Sequence, residues 1–380
     1  MGRKLGGPGQ NVLSPYAERR ARLDAIRAVL ARIPSLKNVS LENVGLDRLG
    51  GAMTNISYKL TTDVGTYVLR LAGEGTSDYV DRSAEAHNAR MAAAVGVNVE
   101  VLYFDAREGT MLTRFVDGYG MDEEGFSRDP GAPARAAMTL RRIHDLGDVF
   151  KSRFDVFARI DGYLNLLRGM RVPLPEDYHE VRREMAAVPR ALEASPIPLV
   201  ACHNDPWPGN LLDAGESIYI IDWEYSGMND PVWDLGDLSV EAGFGTEQDR
   251  TMLEAYYGGG APPALYSRLE IYKALSDFHW SLWAMVQHAG GNPAEDFGTY
   301  ALGRLERCKT RIGSADFGRH LTTMCGRRGR TARYAYPADP EWGASPGATA
   351  PGGLRPAGSP SSPPSHVSPA PCGAQARQRR

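Results

Sequence analysis

The hydrophobic pattern of the chain changes character once, about a third of the way along it. Across residues 44–73, short runs of β-type residues alternate with turns, which predicts three strands with a glycine-containing turn between the first two. Residues 97–104 and 110–116 indicate two further strands. From residue 132 onwards, apolar residues recur at helical spacing instead. The pattern therefore predicts an α+β chain in which a small sheet precedes a larger helical region.

Two predicted helices flank the strands, and both carry a start signal. Ser14 followed by Pro15 predicts the start of a helix that runs to residue 33, and Ser83 is the predicted N-cap of a helix that ends at residue 94. The remaining predicted helices comprise residues 132–144, 156–167, 178–192, 233–244 and 272–288.

The segment from Cys202 to Asp237 carries most of the candidate chemistry. His203, Asp205 and Asn210 form an H-x-D-x4-N loop. A strand-like apolar run follows this loop and ends at Asp222. The order of loop, short strand and acidic residue is typical of kinases, which place a catalytic aspartate and an asparagine before a metal-holding aspartate.

The chemistry of phosphoryl transfer explains these residue types. A carboxylate must lie near the attacking hydroxyl, and magnesium prefers hard oxygen ligands. Asp205 suits the first role, and Asn210 and Asp222 suit the second. The alternative is that Asp205 and Asn210 are turn residues beside Pro206 and Gly209, since Asp, Asn, Gly and Pro dominate turns. The strand and Asp222 that follow favour the catalytic interpretation.

The sequence HNDPWPGN, followed by IDWEYSGMNDPVWDLGD, resembles the choline/ethanolamine kinase family of bacterial type. That family lies within the aminoglycoside phosphotransferase and protein-kinase-like superfamily. The resemblance implies a bilobal fold with ATP and Mg²⁺ between a small antiparallel β-sheet lobe and a larger, mainly α-helical lobe. The predicted division is an N-terminal segment and helix (1–36), a nucleotide-binding lobe (37–118), a catalytic and substrate-binding lobe (119–312) and a tail (313–380).

The resemblance also assigns residues to the nucleotide. They are Gly50, Gly51, Asn55, Arg70, Glu85, Thr113 and Phe115. The first three belong to a glycine loop that would cover the phosphates, although an ordinary hairpin turn is the alternative. Arg70 would align the phosphates through an ion pair with Glu85, or it is a solvated arginine at a strand end. The last two belong to a hinge whose backbone would hold the adenine.

A second set of residues is assigned to the substrate. They are Glu224, Asp234, Glu241, Trp280, Trp283, Phe297 and Tyr300. A quaternary ammonium has no hydrogen-bond donors, so aromatic faces and a carboxylate are the groups that recognise it. The alternative is that the two tryptophans, three residues apart on a predicted helix, only pack in the core.

The composition limits the kinds of molecule that the protein is expected to bind. Of the 380 residues, 42% are hydrophobic and 23% are charged, which is ordinary for a globular protein of one or two domains. The net charge is −3, although residues 313–380 hold nine arginines against three acidic residues. The remainder is therefore distinctly acidic, which disfavours nucleic acid and favours a small cationic substrate.

Several absences in the sequence indicate the compartment. No apolar run approaches the roughly 18 residues of a membrane span, and the N-terminus lacks the apolar core of a signal peptide. The four cysteines, Cys202, Cys308, Cys325 and Cys372, form no C-x-x-C pair. We therefore expect a cytoplasmic protein with reduced thiols and no stable membrane anchor, either monomer or homodimer.

The tail differs from the rest of the chain. Residues 337–380 contain ten of the 26 prolines and no apolar face, so we expect residues 313–380 to be disordered, as a native or a non-native extension. For the body, the predicted reaction is ATP-dependent phosphorylation of choline or ethanolamine. The alternatives are an aminoglycoside-type kinase, a kinase for thiamine or another amino alcohol, and a catalytically inactive binding module.

Overall fold

The computed structural model describes residues 24, 26–33, 36, 37, 39, 44–50, 55–73, 80–215 and 217–325. The predicted start of the first helix at Ser14, the predicted loop residue Gly51 and Cys372 lie outside these residues, as does the part of the tail beyond residue 325.

The N-terminal lobe is a five-stranded antiparallel sheet with the order β1-β2-β3-β5-β4. Its strands are β1 (Gly45–Leu49), β2 (Ile56–Thr62), β3 (Gly65–Leu71), β4 (Val101–Asp105) and β5 (Thr110–Arg114). The predicted sheet-rich lobe is therefore confirmed. Alternation places Leu60 and Leu69 on one face, where both are fully buried against Ile26 and Leu30 of helix α1 (26–31). The sheet and α1 thus form a small core of their own.

Helix α2 (Arg82–Ala94) connects β3 to β4 and begins one residue earlier than predicted. The Asp81 carboxylate accepts hydrogen bonds from the backbone N–H groups of Ser83 and Ala84, both at 3.0 Å. The prediction that Ser83 caps this helix is wrong, because Asp81 already satisfies the free donors of the first turn. The shift brings Arg82 into the helix.

The C-terminal lobe is helical, as predicted. Its helices are α3 (Glu123–Arg128), α4 (Ala132–His144), α5 (Val156–Gly169), α6 (Glu176–Glu184), α7 (Val188–Glu193), α8 (Pro231–Glu241), α9 (Thr246–Tyr257), α10 (Pro263–Ala289), α11 (Phe297–Ile312) and α12 (Ala315–Cys325). Five short strands complete it: β6 (Tyr119–Gly120), β7 (Val200–Cys202), β8 (Leu211–Asp213), β9 (Ile218–Ile220) and β10 (Gly227–Asn229). They form two small sheets, β6-β8-β9 and β10-β7.

Several boundary predictions in this lobe are wrong, and two of the errors have a clear physical cause. The single helix predicted over residues 178–192 is divided by a 3₁₀ turn, Met185–Ala187, because Pro189 near the start of α7 lacks the N–H that a continuous helix requires. The disordered tail predicted from residue 313 does not begin there, since α12 follows and buries Phe317 and Met324 against the main core. Leu321 and Cys325 of the same helix also pack against this core.

The larger core lies among α4, α5, α8 and α10, and Trp223 and Trp233 are its largest fully buried side chains. Helix α10, 27 residues long, crosses the lobe and packs against α8, α11, α5 and α12. This packing sets the orientation of α8 and α11, and therefore which of their residues border the inter-lobe cavity. None of the helices in the described part of the chain combines the length and apolar character that crossing a membrane demands.

Candidate active site

A cavity of about 540 Å³ lies between the sheet and the helical lobe. The predicted residues that line it are Gly50, Asn55, Arg70, Thr113, Phe115, Asp205, Asn210, Asp222, Glu224, Glu241, Trp280, Trp283 and Tyr300. The structure therefore brings residues from eight separate segments of the sequence to one space. Glu85, Asp234 and Phe297 do not line it.

The loop that carries Asp205 is held from beneath by Asp234. The two Asp234 carboxylate oxygens accept hydrogen bonds from the backbone N–H groups of His203 and Asn204, both at 2.8 Å. Asn204 adopts a left-handed conformation with φ of 70°, which asparagine tolerates better than most residues. These bonds turn the chain sharply after β7 and direct the next residue, Asp205, into the cavity.

The sequence predicts that Asp234 contacts the substrate, but in the structure its neighbours are the catalytic loop and α4. It is fully buried and also contacts the imidazole of His144, whose Nε2 lies 3.0 Å from Asp234 Oδ2. The Nδ1 of His144 lies 2.7 Å from the hydroxyl of Tyr256. Because both oxygens of Asp234 are engaged below the loop, we assign this residue to loop support rather than to substrate contact.

Asp205 lies at the centre of the cavity. Its backbone N–H donates to His203 Nδ1 at 3.3 Å, and Asn210 Nδ2 donates to its carbonyl oxygen at 3.0 Å. The second bond fixes the amide of Asn210 by its nitrogen, which leaves the amide oxygen as the group that can bind a cation. Burial, and then the charges of Asp237 and Glu241, raise the pKa of the Asp205 carboxyl well above its ordinary value.

Asp222 follows β9 and has a left-handed backbone, with φ of 62°. Its Oδ1 lies 3.0 Å from Arg70 NH1, and its Oδ2 accepts a hydrogen bond of 3.4 Å from Asn55 Nδ2. The same amide nitrogen lies 3.3 Å from Glu224 Oε2, so the two carboxylates are neighbours across one amide. Glu224 therefore stands on the Asp222 side of the cavity. Carboxylate and amide oxygens of this kind are the donors that Mg²⁺ prefers.

Arg70 and Glu85 are in contact as predicted, with Arg70 NH2 and Glu85 Oε1 2.5 Å apart. The contact continues beyond this pair, since Arg82 NH1 lies 2.7 Å from the other Glu85 oxygen and 3.2 Å from Glu224 Oε2. Burial alone would lower the pKa of Arg70, but the carboxylates of Glu85 and Asp222 raise it above its usual range. Burial and the Asp222 charge raise the pKa of Glu224 to about 7.

The predicted hinge lines the cavity, but one of its backbone donors is occupied. The N–H of Phe115 donates to the carbonyl oxygen of Thr66 at 3.1 Å, as an extension of the β3–β5 pairing. It is therefore not available to a ligand. Lys59 lies over the outer face of the Phe115 ring, with its ammonium 4.1 Å from the ring centroid.

The far end of the cavity is aromatic. Tyr225, Trp280 and Trp283 meet edge to face, with centroid separations of 5.4 Å between Tyr225 and Trp280 and 5.8 Å between the tryptophans. Tyr300 also lines this end. Phe297 packs behind Trp283, with centroids 5.4 Å apart, and is fully buried. It supports the aromatic wall rather than forming the cavity surface.

Glu241 reaches the aromatic end, where it forms an ion pair with Arg304 of α11. Arg304 also donates to the hydroxyl of Tyr300 at 3.1 Å and lies 3.1 Å from an oxygen of Asp277. Glu241 is thus not a free counter-charge. Burial and the Glu241 charge together raise the pKa of Tyr300, so its hydroxyl keeps its proton.

Among the residues that sequence reasoning did not assign to the site are Arg82, Tyr225, Asp237 and Arg304. Tyr225 adjoins the predicted Glu224, and Asp237 precedes Glu241 by four residues, which places both acids on one face of α8. That spacing could have revealed Asp237. Nothing in the sequence distinguishes Arg82 or Arg304 from the many surface arginines.

Comparisons with known proteins identify the family to which the chain belongs. The model of the phosphotransferase enzyme family matches residues 46–272. A LicA protein of Haemophilus influenzae is 31% identical over 264 residues, which span 67% of this chain and 76% of the relative.

Two solved structures are also similar. A choline/ethanolamine kinase family protein from Mesorhizobium loti is 47% identical, with a TM-score of 0.71 over 80% of this chain and 99% of that one. The choline kinase LicA from Streptococcus pneumoniae is 27% identical, with a TM-score of 0.65 over 76% of this chain and 99% of that one. The chain belongs to the phosphotransferase enzyme family, as a choline/ethanolamine kinase-like enzyme that acts on an alcohol.

Proposed function

We propose that this protein transfers the γ-phosphoryl group of ATP to the hydroxyl of a small amino alcohol, with choline preferred to ethanolamine. The observation that carries the proposal is the composition of the inter-lobe cavity. One end holds Arg70, Asn210 and Asp222, and the other holds Trp280 and Trp283. Asp205 lies in the same cavity, so a carboxylate, a phosphate-aligning cation and an aromatic pocket share one space.

The chain's own residues fit the nucleotide and its metal. Asn210 and Asp222 would hold Mg²⁺, with the Glu224 carboxylate close by, and the ion would neutralise charge that develops on the phosphoryl oxygens. Arg70, fixed by Glu85, provides a planar donor for the phosphates. Gly50 and Asn55 belong to the segment proposed to cover them.

Asp205 is the group proposed to act on the substrate hydroxyl. It faces the cavity, and its backbone N–H donates to His203 while its carbonyl accepts from Asn210, so both bonds engage the backbone rather than the carboxylate that would accept the proton. A general base works best when its pKa is close to the working pH. The raised pKa of Asp205 makes it a better proton acceptor than an ordinary aspartate.

The preference for choline rests on two features of the aromatic end. Tyr225, Trp280 and Trp283 form a wall of ring faces and edges suited to a methylated cation. Glu241 is already engaged with Arg304, so fewer acceptors remain for the three N–H donors of ethanolamine. The names of two similar structures, a choline kinase and a choline/ethanolamine kinase family protein, support the same substrate class.

An aminoglycoside kinase remains the second candidate, because it uses the same catalytic residues. Recognition of a large polycation requires several carboxylates spread over an open surface. The cavity in the described residues instead ends in aromatic rings. We therefore rank this candidate second.

The test is a comparison of substrates with one enzyme preparation. ADP release is measured with ATP and Mg²⁺ in the presence of choline, ethanolamine or an aminoglycoside. We expect kcat/KM to fall in that order, with no turnover of the aminoglycoside above the ATPase background. A higher kcat/KM for the aminoglycoside than for either amino alcohol would overturn the proposal.

A further inference from the structure

A buried carboxylate, Asp237 of α8, lies directly behind the aromatic wall. Its Oδ1 accepts two hydrogen bonds, from Ser276 Oγ at 2.5 Å and from Trp280 Nε1 at 2.8 Å. Its side chain is completely inaccessible to solvent. The other oxygen, Oδ2, has no hydrogen-bond partner among the residues that the structure describes. Asp237 is therefore bound to one side of the Trp280 indole while half of its carboxylate remains unsatisfied.

The charges around Asp237 do not neutralise it. In the described part of the chain it forms no ion pair, because Arg304 pairs with Glu241 and Asp277 instead. The ionisable groups whose charges interact with Asp237 are Asp205, Glu241, Tyr300 and Arg304. Carboxylates outnumber the one cation among them. A buried acid without a cation destabilises the fold, and such costs are usually found where a ligand supplies the missing charge.

We propose that Asp237 is a specificity-determining residue that selects a cationic alcohol over a neutral one. Its carboxylate, in the ionised form, attracts the ammonium group of the substrate, and its hydrogen bond holds the Trp280 ring in the wall that this group contacts. The inference rests on the proposed function and extends it, because it adds a carboxylate to the cation–π contacts that the tryptophans supply. Glu241 is neutralised by Arg304, whereas Asp237 is not.

The experiment compares choline with its neutral isostere, 3,3-dimethylbutan-1-ol, in wild type and in Asp237→Asn. The amide retains the shape and an oxygen for Ser276 and Trp280 but removes the charge. We expect KM for choline to rise by about 10-fold or more, the scale of one unscreened charge at short range. The isostere's KM should stay nearly constant, and the melting temperature should be equal or higher because a buried charge is removed.

Ser276→Ala is the matched control, since it removes a hydrogen bond to the same Asp237 oxygen and keeps the charge. It should leave the ratio of the two KM values unchanged.

Calorimetry on wild type provides a measurement that does not depend on the variant folding. In buffers of different ionisation enthalpy, choline binding should release protons at mildly acidic pH, and binding of the neutral isostere should release none. Equal proton release for both ligands, or an Asp237→Asn variant that still discriminates between them as wild type does, would overturn the inference alone. Absence of turnover with every amino alcohol would overturn the proposed function as well.

Discussion

The two ends of the cavity balance their charges in opposite ways. At the phosphate end, Arg70, Arg82, Glu85, Glu224 and Asp222 form a closed network in which each carboxylate contacts a guanidinium or an amide. At the aromatic end, Glu241 pairs with Arg304, but Asp237 forms no ion pair among the residues that the structure describes. A network of ion pairs holds its geometry before any ligand binds. An unpaired acid gains its counter-charge only when a cationic ligand binds.

This difference separates what any phosphotransferase needs from what one substrate needs. The phosphate end joins β3, α2 and the segment after β9, so it couples the two lobes through ion pairs. The aromatic end is built entirely on the helical lobe, from α8, α10 and α11. Changes at the first end should therefore affect turnover with every substrate, and changes at the second should alter the choice among substrates.

The largest expected effect is at the phosphate end, with Asp222→Ala. The substitution removes a proposed magnesium ligand and leaves Arg70 without one of its two carboxylate partners. We expect no measurable turnover with choline or ethanolamine at any magnesium concentration that saturates wild type. Titration of activity with Mg²⁺ provides the measurement. A variant whose magnesium dependence matches wild type would remove Asp222 from the metal site.

Asp205→Asn should have the next largest effect. The amide keeps the size of the side chain but accepts no proton, so turnover should fall by roughly 100-fold or more, the scale of general-base loss. Because a half-buried carboxyl whose pKa is raised is replaced by a neutral group, the melting temperature should not fall. Circular dichroism and ADP release on the same sample separate the two quantities. Near-normal turnover in a folded variant would show that Asp205 is not the base.

The loss of activity at acidic pH depends on ionisable groups in more than one part of the cavity. Both Asp205 and Glu224 have raised pKa values, about 7 for Glu224, and both are proposed to act as carboxylates. As the pH falls below these values the groups become protonated, and kcat/KM should fall by about 10-fold for each pH unit. A bound cation favours the ionised forms, so the limb for kcat should lie at lower pH than the limb for kcat/KM. A kcat/KM limb near 4, the ordinary value for a carboxyl, would contradict the raised pKa values.

Sequence reasoning succeeded where the signal is local. Alternation and turns gave the strands of the sheet, and the charges of Arg70 and Glu85 together with the resemblance to kinases gave their ion pair. Both depend on residues whose role is set by one element and its immediate neighbour.

The sequence could not distinguish among the acids of α8. Asp234, Asp237 and Glu241 follow one another at intervals of three and four residues, so all three lie on similar faces of one helix. Asp234 proves to support the catalytic loop, Glu241 to pair with Arg304, and Asp237 to bind Trp280. What separates them is which neighbour each meets, and that is decided by the packing of distant segments.

The smallest expected effect sharpens the comparison at the aromatic end. Trp283→Leu and Phe297→Leu remove neighbouring rings, but only Trp283 lines the cavity, while Phe297 is packed behind it. A cation–π contact contributes about 0.5 to 2 kcal/mol, so Trp283→Leu should raise KM for choline by about 2- to 30-fold.

Ethanolamine depends more on hydrogen-bond acceptors, and its KM should change less with Trp283→Leu. Phe297→Leu should lower the melting temperature without altering the choline-to-ethanolamine ratio, because it changes packing alone. Steady-state kinetics with both substrates and thermal melts of both variants provide the comparison. If Trp283→Leu reduced kcat/KM equally for choline and ethanolamine and lowered the melting temperature as Phe297→Leu does, Trp283 would be a packing residue, and the separation of the two ends by substrate choice would fail.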